Sequence, residues 1–165
     1  MPKETLNIHF DDNTPWGTDE NTGLRWHRSI YRVLYADTDA AAIVYHANYL
    51  RFFEMARASF LRDSGTSYRI WHDQGLVFPV IETGLQYKRA LVYDDIVWIL
   101  TRPSALRPVT FRFDYCVFHP ETKTLCTTGF TTHAVINSAR KPVAVPPDLQ
   151  TVFNSSGVVC ERSMA

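Results

Sequence analysis

The apolar positions change period along the chain, and each change marks an element. From Ser29 to Ala36, SIYRVLYA alternates loosely, with Ile30, Val33 and Tyr35 as its heavy or β-favouring residues, and predicts a strand. From about Ala47 to Ser64 the spacing becomes helical: Tyr49, Leu50, Phe53, Ala56, Phe60 and Leu61 form one broad apolar stripe. Asn48 is placed to cap that helix, and Gly65 stands where a chain leaving a helix turns left-handed. SYRIWHDQ, from Ser67 to Gln74 and closed by Gly75, predicts a second, shorter helix.

Strands follow. LVFPVIETGLQYK, interrupted by Pro79 and Gly84, is succeeded by DDIVWILTR and then by VTFRFDYCVFH. Alternation in the last sets Phe111, Phe113, Tyr115 and Val117 on one face and Arg112, Asp114 and Cys116 on the other. PETK turns the chain into TLCTTGFTTHAVIN, SARKP ends that strand, and VPPDLQ is expected as a terminal turn. The order of strand, long helix and a run of antiparallel strands predicts an α+β fold. A helix this apolar needs a sheet wrapped around it rather than laid on one side.

Residues 1–27 differ from this pattern. HFDDNTPWGTDENTG is rich in Asp, Asn, Thr and Gly without a sustained period, and is expected to form an N-terminal arm lying across the body or a partner. Trp16 and Trp26 are suited to tack it down, because large aromatics bury much area at little entropic cost. Residues 28–165 then form a single domain, and 165 residues suffice for a core of their own. Lys plus Arg and Asp plus Glu both number 17, so nothing in the charge draws the chain to nucleic acid or an anionic membrane. The acidic N-terminus lacks the apolar stretch of a signal peptide, no apolar run is long enough to span a bilayer, and a cytoplasmic location is expected. Cys116, Cys126 and Cys160 show no metal-ligand spacing and are read as reduced, structural thiols.

The chemistry gathers in YADTDAAAIVYHANYL, from Tyr35 to Leu50, and the helix that follows. This stretch resembles the signature Asp-x-Asp-x-x-Gly-x-Val-Tyr-His-x-x-Tyr of the 4-hydroxybenzoyl-CoA thioesterase-like branch of the hot-dog superfamily. It is closest there to the small acyl-CoA thioesterases associated with the Tol-Pal system. A looser likeness runs from about Ser29 to Leu149, through YKRALVYDDIVWI and KPVAVPPDL. The resemblance implies an antiparallel sheet wrapped around one long central helix, acyl-CoA as substrate, no metal or redox cofactor, and a homodimer or homotetramer with sites at the subunit interface. An acyl hydratase or dehydratase of the same fold, or a non-catalytic acyl-CoA-binding module, is the alternative.

Thioester hydrolysis needs activated water or a nucleophile, and a stabilised oxyanion. A carboxylate, ionised at neutral pH, serves as general base or as nucleophile. A helix N-terminus serves the oxyanion, since its first N–H groups lack partners and its dipole favours negative charge. By the resemblance Asp39 takes the carboxylate position and the His46 backbone N–H the oxyanion position, while the Tyr35 and His46 side chains accompany them. On the residues alone, Asp39 also reads as a turn residue, His46 as a solvent-facing residue at the helix start, and Tyr35 as a strand tyrosine.

Asp37 and His133 are read as structural, and Glu54 as part of a salt-bridged face with Arg51 and Arg57. Lys88, Arg89, Arg140 and Lys141 are candidates to meet the phosphates of CoA. Where the family has glycine, this chain has Ala42. If that glycine supplies positive φ, alanine costs on the order of 1 kcal/mol. If it gives the thioester room, the added methyl narrows the choice of acyl group or lowers activity.

Overall fold

In the computed structural model, which describes residues 6–161, seven antiparallel strands form one sheet. They are β1 (Ile8–Phe10), β2 (Trp16–Asp19), β3 (Arg25–Arg32), β5 (Val80–Tyr87), β6 (Ile96–Leu106), β7 (Thr110–His119) and β8 (Thr124–Ala134), in the order β1-β2-β3-β6-β7-β8-β5. The short β4 (Leu76–Val77) and β9 (Ile136–Asn137) pair separately. The helices are α1 (Asn48–Asp63), α2 (Tyr68–Asp73) and α3 (Pro147–Ser155). None is long and apolar enough to cross a membrane.

The alternation predicted for β7 is observed: Phe111, Phe113, Tyr115 and Val117 are buried towards α1. On α1 the apolar stripe buries Tyr49, Phe53, Ala56, Phe60 and Leu61, joined by Phe52. Phe53 stacks flat on Tyr115, with ring centroids 4.3 Å apart. Gly129 of β8 makes that approach possible, because a Cβ there would lie 2.7 Å from the Phe53 ring. The helix ends at Gly65, φ +85°, with Thr66 N–H donating to the Leu61 carbonyl and Gly65 N–H to that of Arg62.

Four expectations need correction. The strand read at Ser29–Ala36 lies earlier, at Arg25–Arg32, and Tyr35–Asp37 form a 3-10 turn, because the Asp37 carboxylate draws the Leu34 N–H away from strand pairing. The expected boundary at residue 27 therefore cuts through β3, and the arm joins the sheet as β1 and β2; its residues 1–5, like 162–165, lie outside the described residues. Asn48 is the first helical residue rather than a cap; its side chain donates to the Asp37 carbonyl. VPPDLQ opens α3 instead of forming a turn. Pro147 begins that helix, Leu149, Val152 and Phe153 bury one face, and Asp148 accepts the Trp71 indole N–H.

Glu54 is exposed and forms no ion pair among the described residues. Its expected partners turn elsewhere: Arg51 reaches Asp37, and Arg57, only 7% exposed, donates to the hydroxyls of Tyr68, Tyr115 and Thr131. Hydroxyls thus solvate a buried cation that has no carboxylate against it among the described residues. Tyr115 hydrogen-bonds Thr131, whose hydroxyl meets His133 Nε2 at 2.9 Å, while His133 Nδ1 lies 3.0 Å from the Phe78 carbonyl. A carbonyl only accepts, so Nδ1 carries the proton and Nε2 accepts from Thr131. His133 is therefore neutral and structural.

Burial, with the Arg57 charge behind it, lowers the His133 pKa from 6.5 to about 4. The unfolded chain takes up this proton near pH 6.5 and the folded chain only near 4, so stability is complete above the first value and declines towards the second. We expect urea denaturation to show a loss of up to roughly 3 kcal/mol across that window, and a clearly smaller loss in His133→Gln. Equal slopes in the two proteins would remove His133 as the source.

Candidate active site

The motif folds into a small hairpin placed before α1. Thr38 and Val44 form an antiparallel bridge, Asp39 N–H donates to the Ile43 carbonyl at 3.0 Å, and Ala42 N–H to the Asp39 carbonyl at 2.9 Å. This is the loop that ends in a left-handed residue, and Ala42 occupies that place with φ +59°. The Ala41 N–H holds Oδ1 of Asp39 at 2.8 Å, while Oδ2 has no partner among the described residues. The turn thus presents an exposed carboxylate with one oxygen fixed and the other available.

Asp37 is wholly buried and ties this hairpin down. Its Oδ2 accepts the Tyr31 hydroxyl at 2.7 Å and the Leu34 N–H at 2.9 Å, and its Oδ1 accepts Arg51 at 3.0 Å. Its carbonyl receives the Tyr45 N–H and the Asn48 side chain. One residue thereby joins β3, the 3-10 turn, the far arm of the hairpin and the start of α1. Burial and the bond to Asp37 push the Tyr31 pKa up to about 12, so Tyr31 remains a donor.

Asp39 and His46 line one cavity of about 290 Å³ with Ile43, Val44, Tyr49, Tyr87, Lys88, Arg89 and Ala90. His46 and Ala47 lead into α1, and their N–H groups donate to no acceptor among the described residues. The His46 imidazole is exposed, rests against the Tyr45 ring at 4.3 Å, and makes no hydrogen bond among the described residues. Tyr87 donates its hydroxyl to the His46 carbonyl at 2.8 Å. The Lys88 and Arg89 N–H groups both donate to the Cys126 carbonyl, which holds these cations on a fixed strand end.

The structure thus brings together Asp39, His46, Lys88 and Arg89. Tyr35 does not join them: it is 79% exposed, packs edge-on against Tyr93 and does not line the cavity. Arg140 and Lys141 sit on an exposed turn after β9 and do not line it either. Sequence reasoning missed Tyr49 and Tyr87 as cavity walls; Tyr87 opens the YKRA run whose next two residues it did select.

Ala42 is also absent from the lining, so the methyl in place of the family's glycine meets backbone conformation rather than substrate space. A larger hollow of about 680 Å³ opens on the sheet face turned away from α1, among Trp26, Arg112, Asp114, Thr128 and Phe130. It holds none of the motif residues, of which Asp39 and His46 line the smaller cavity. Among the described residues no set of three His, Cys, Asp or Glu side chains converges as metal ligands.

Comparison with known proteins agrees with this architecture. The model of the thioesterase-like superfamily matches residues 33–153. The acyl-CoA thioesterase YbgC of Haemophilus influenzae is 34% identical over 124 residues, covering 74% of this chain and 90% of its own. The acyl-CoA thioester hydrolase YbgC of Escherichia coli O6:H1 is 31% identical over 134 residues, covering 81% and 98%. The solved DHNA-CoA thioesterase of Staphylococcus aureus superposes with a TM-score of 0.75 at 28% identity, covering 79% of this chain and 89% of that one. The chain belongs to the thioesterase-like superfamily and has its hot-dog fold.

Three substitutions test the hairpin. Ala42→Gly relieves a left-handed alanine, which costs about 1–2 kcal/mol, against the added freedom of glycine in the unfolded chain, about 0.5–1 kcal/mol. The variant should melt about 1–2 °C higher; a lower Tm contradicts the conformational reading. Asp37→Ala leaves the Tyr31 hydroxyl and Leu34 N–H unpaired and should cost about 2–4 kcal/mol in urea denaturation. Arg51→Ala should cost less than about 1 kcal/mol, because the Arg51 side chain is 59% exposed.

Proposed function

We propose that this protein hydrolyses acyl-CoA thioesters to a carboxylic acid and free CoA, with Asp39 as the reacting carboxylate. The observation that carries the reading is that Asp39 and His46 line the same cavity at the start of α1. The thioester carbonyl lies against the helix N-terminus, where the His46 N–H receives the developing oxyanion. A preorganised donor of this kind contributes about 3–4 kcal/mol to the transition state. Oδ2 of Asp39 takes a proton as water bonds to the carbonyl carbon. The tetrahedral adduct then collapses, the C–S bond breaks, and the sulfur leaves with that proton as the CoA thiol.

The same oxygen could instead attack the carbonyl carbon directly and expel the CoA thiolate, giving an acyl-aspartyl anhydride that water opens to the carboxylic acid and the free Asp39 carboxylate. Single-turnover hydrolysis in isotopically labelled water separates the two routes, because label in the Asp39 carboxylate marks the nucleophilic one. In either route the His46 imidazole, at the exposed rim, orients the incoming water. Tyr35 acts only if substrate or a second copy reaches it, since it stands outside the cavity. Lys88 and Arg89 at the cavity wall are assigned to the CoA phosphates. Arg140 and Lys141, which do not line the cavity, are not.

A second copy is the natural partner of β5. This edge strand is eight residues long and exposes Val80, Ile81 and Tyr87, the kind of edge that stays monomeric only when covered. A homodimer, or a tetramer of two such dimers, is the expected assembly, and light scattering on the eluting protein measures it.

Thiol release from short, long and aromatic acyl-CoAs tests the function itself. Asp39→Asn should lower kcat by ~10²-fold or more with its melting temperature unchanged. Release from no acyl-CoA would identify a binding protein, and full turnover by the Asn variant would remove Asp39 from the chemistry.

A further inference from the structure

Tyr87 is the last residue of β5 and stands opposite Thr127 of β8. Immediately beyond it, the Lys88 and Arg89 N–H groups both close on the Cys126 carbonyl, so the strand end is fixed at two successive residues. From this post the Tyr87 ring crosses the cavity wall to the start of α1. It packs edge-on against Tyr49, with centroids 5.2 Å apart, and its hydroxyl donates to the His46 carbonyl at 2.8 Å. A carbonyl only accepts, so the Tyr87 hydroxyl is the donor in this bond.

The His46 carbonyl belongs to the peptide that joins His46 to Ala47. Tyr87 holds that peptide by its oxygen, while the N–H groups of His46 and Ala47 are left without acceptors among the described residues. Backbone N–H groups stabilise an oxyanion only when their directions are set before the charge appears. A loop residue ahead of a helix has no i−4 ladder to set them, and Asn48 N–H reaches back only to the Tyr45 carbonyl. A bond to the carbonyl end of an amide also polarises its N–H end, here that of Ala47, while the His46 N–H belongs to the preceding amide and is set through the shared His46 backbone.

We infer that Tyr87 is a positioning residue for thioester hydrolysis, fixing the His46–Ala47 peptide so that the Ala47 N–H is aimed beside the His46 N–H of the preceding peptide, where the oxyanion forms. The inference rests on the thioesterase reading above. It assigns the edge strand a part in the reaction beyond walling the cavity.

Tyr87→Phe tests it by removing one oxygen while keeping the ring, its contact with Tyr49 and the cavity wall. The expected result is a fall in kcat of about tenfold, less than the loss of a direct oxyanion donor. KM and the affinity for a non-hydrolysable thioether analogue of the substrate should stay within about twofold, because the ground state does not use the bond. The backbone amide resonances of His46 and Ala47 should shift in the variant, and this readout needs no turnover. Wild-type kcat in Tyr87→Phe, or unmoved amide resonances, overturns the inference while the thioesterase reading stands. A proportional rise in KM with kcat unchanged also overturns it, since that is the signature of a wall. If wild-type protein releases thiol from no acyl-CoA, the thioesterase reading falls and the inference with it.

Discussion

A carboxylate with no exposure to water must be hydrogen-bonded or it destabilises the fold, and Asp37 meets that demand by drawing four segments to itself. Tyr31 from β3 and Leu34 from the 3-10 turn donate to the carboxylate, while Tyr45 from the far arm of the hairpin and Asn48 from the start of α1 donate to its main-chain carbonyl. Asp39 is two residues away and exposed, and its own turn holds only one of its oxygens. What places that turn relative to the helix is the buried aspartate before it. The Arg51 cation on Asp37 is secondary, because it reaches in from solvent; the neutral donors do most of the holding.

The same logic appears deeper in the core. Arg57 is buried without a carboxylate among the described residues, and three hydroxyl groups take the place of water around it. Each hydroxyl must pass its own proton onward, which orders Tyr115, Thr131 and His133 into one directed chain ending at the Phe78 carbonyl. Polar groups thus fix the angle of α1 on the sheet where aromatic stacking alone would leave it free to slide. Gly129 sets how closely the two approach, and the Arg57 chain sets where along the strands they meet.

Much of this was legible in the residues. The helical stripe from Tyr49 to Leu61, the alternation from Phe111 to Val117 and the αL stop at Gly65 are local patterns that tertiary contacts reinforced. The joint presence of Asp39 and His46 followed from a motif whose spacing spans a single hairpin. What was not legible depended on long-range partners. The arm showed no period because each of its strands is only three or four residues long and is stabilised by a neighbour. Tyr31 and Leu34 gave no sign that Asp37 would end the strand early. Glu54 looked paired by helical spacing, yet Arg51 turns to the buried Asp37 carboxylate and Arg57 to the hydroxyls around its buried guanidinium. Helix α3 was in fact signalled, by Pro147 at its first position and the 149/152/153 apolar spacing, and the two prolines masked it.

The two ends of the sheet are unlike. One is β5, eight residues long, and the other is β1, only three, set outside β2 by the arm that relatives matched over residues 33–153 need not share. A strand so short offers almost no ladder to an incoming edge. The longer edge, β5, favours a like-with-like contact about a two-fold axis, and contact of that kind closes on itself after one partner. The arm therefore leaves this end of the sheet, among the described residues, with little ladder for the head-to-tail route by which an open sheet grows into a filament.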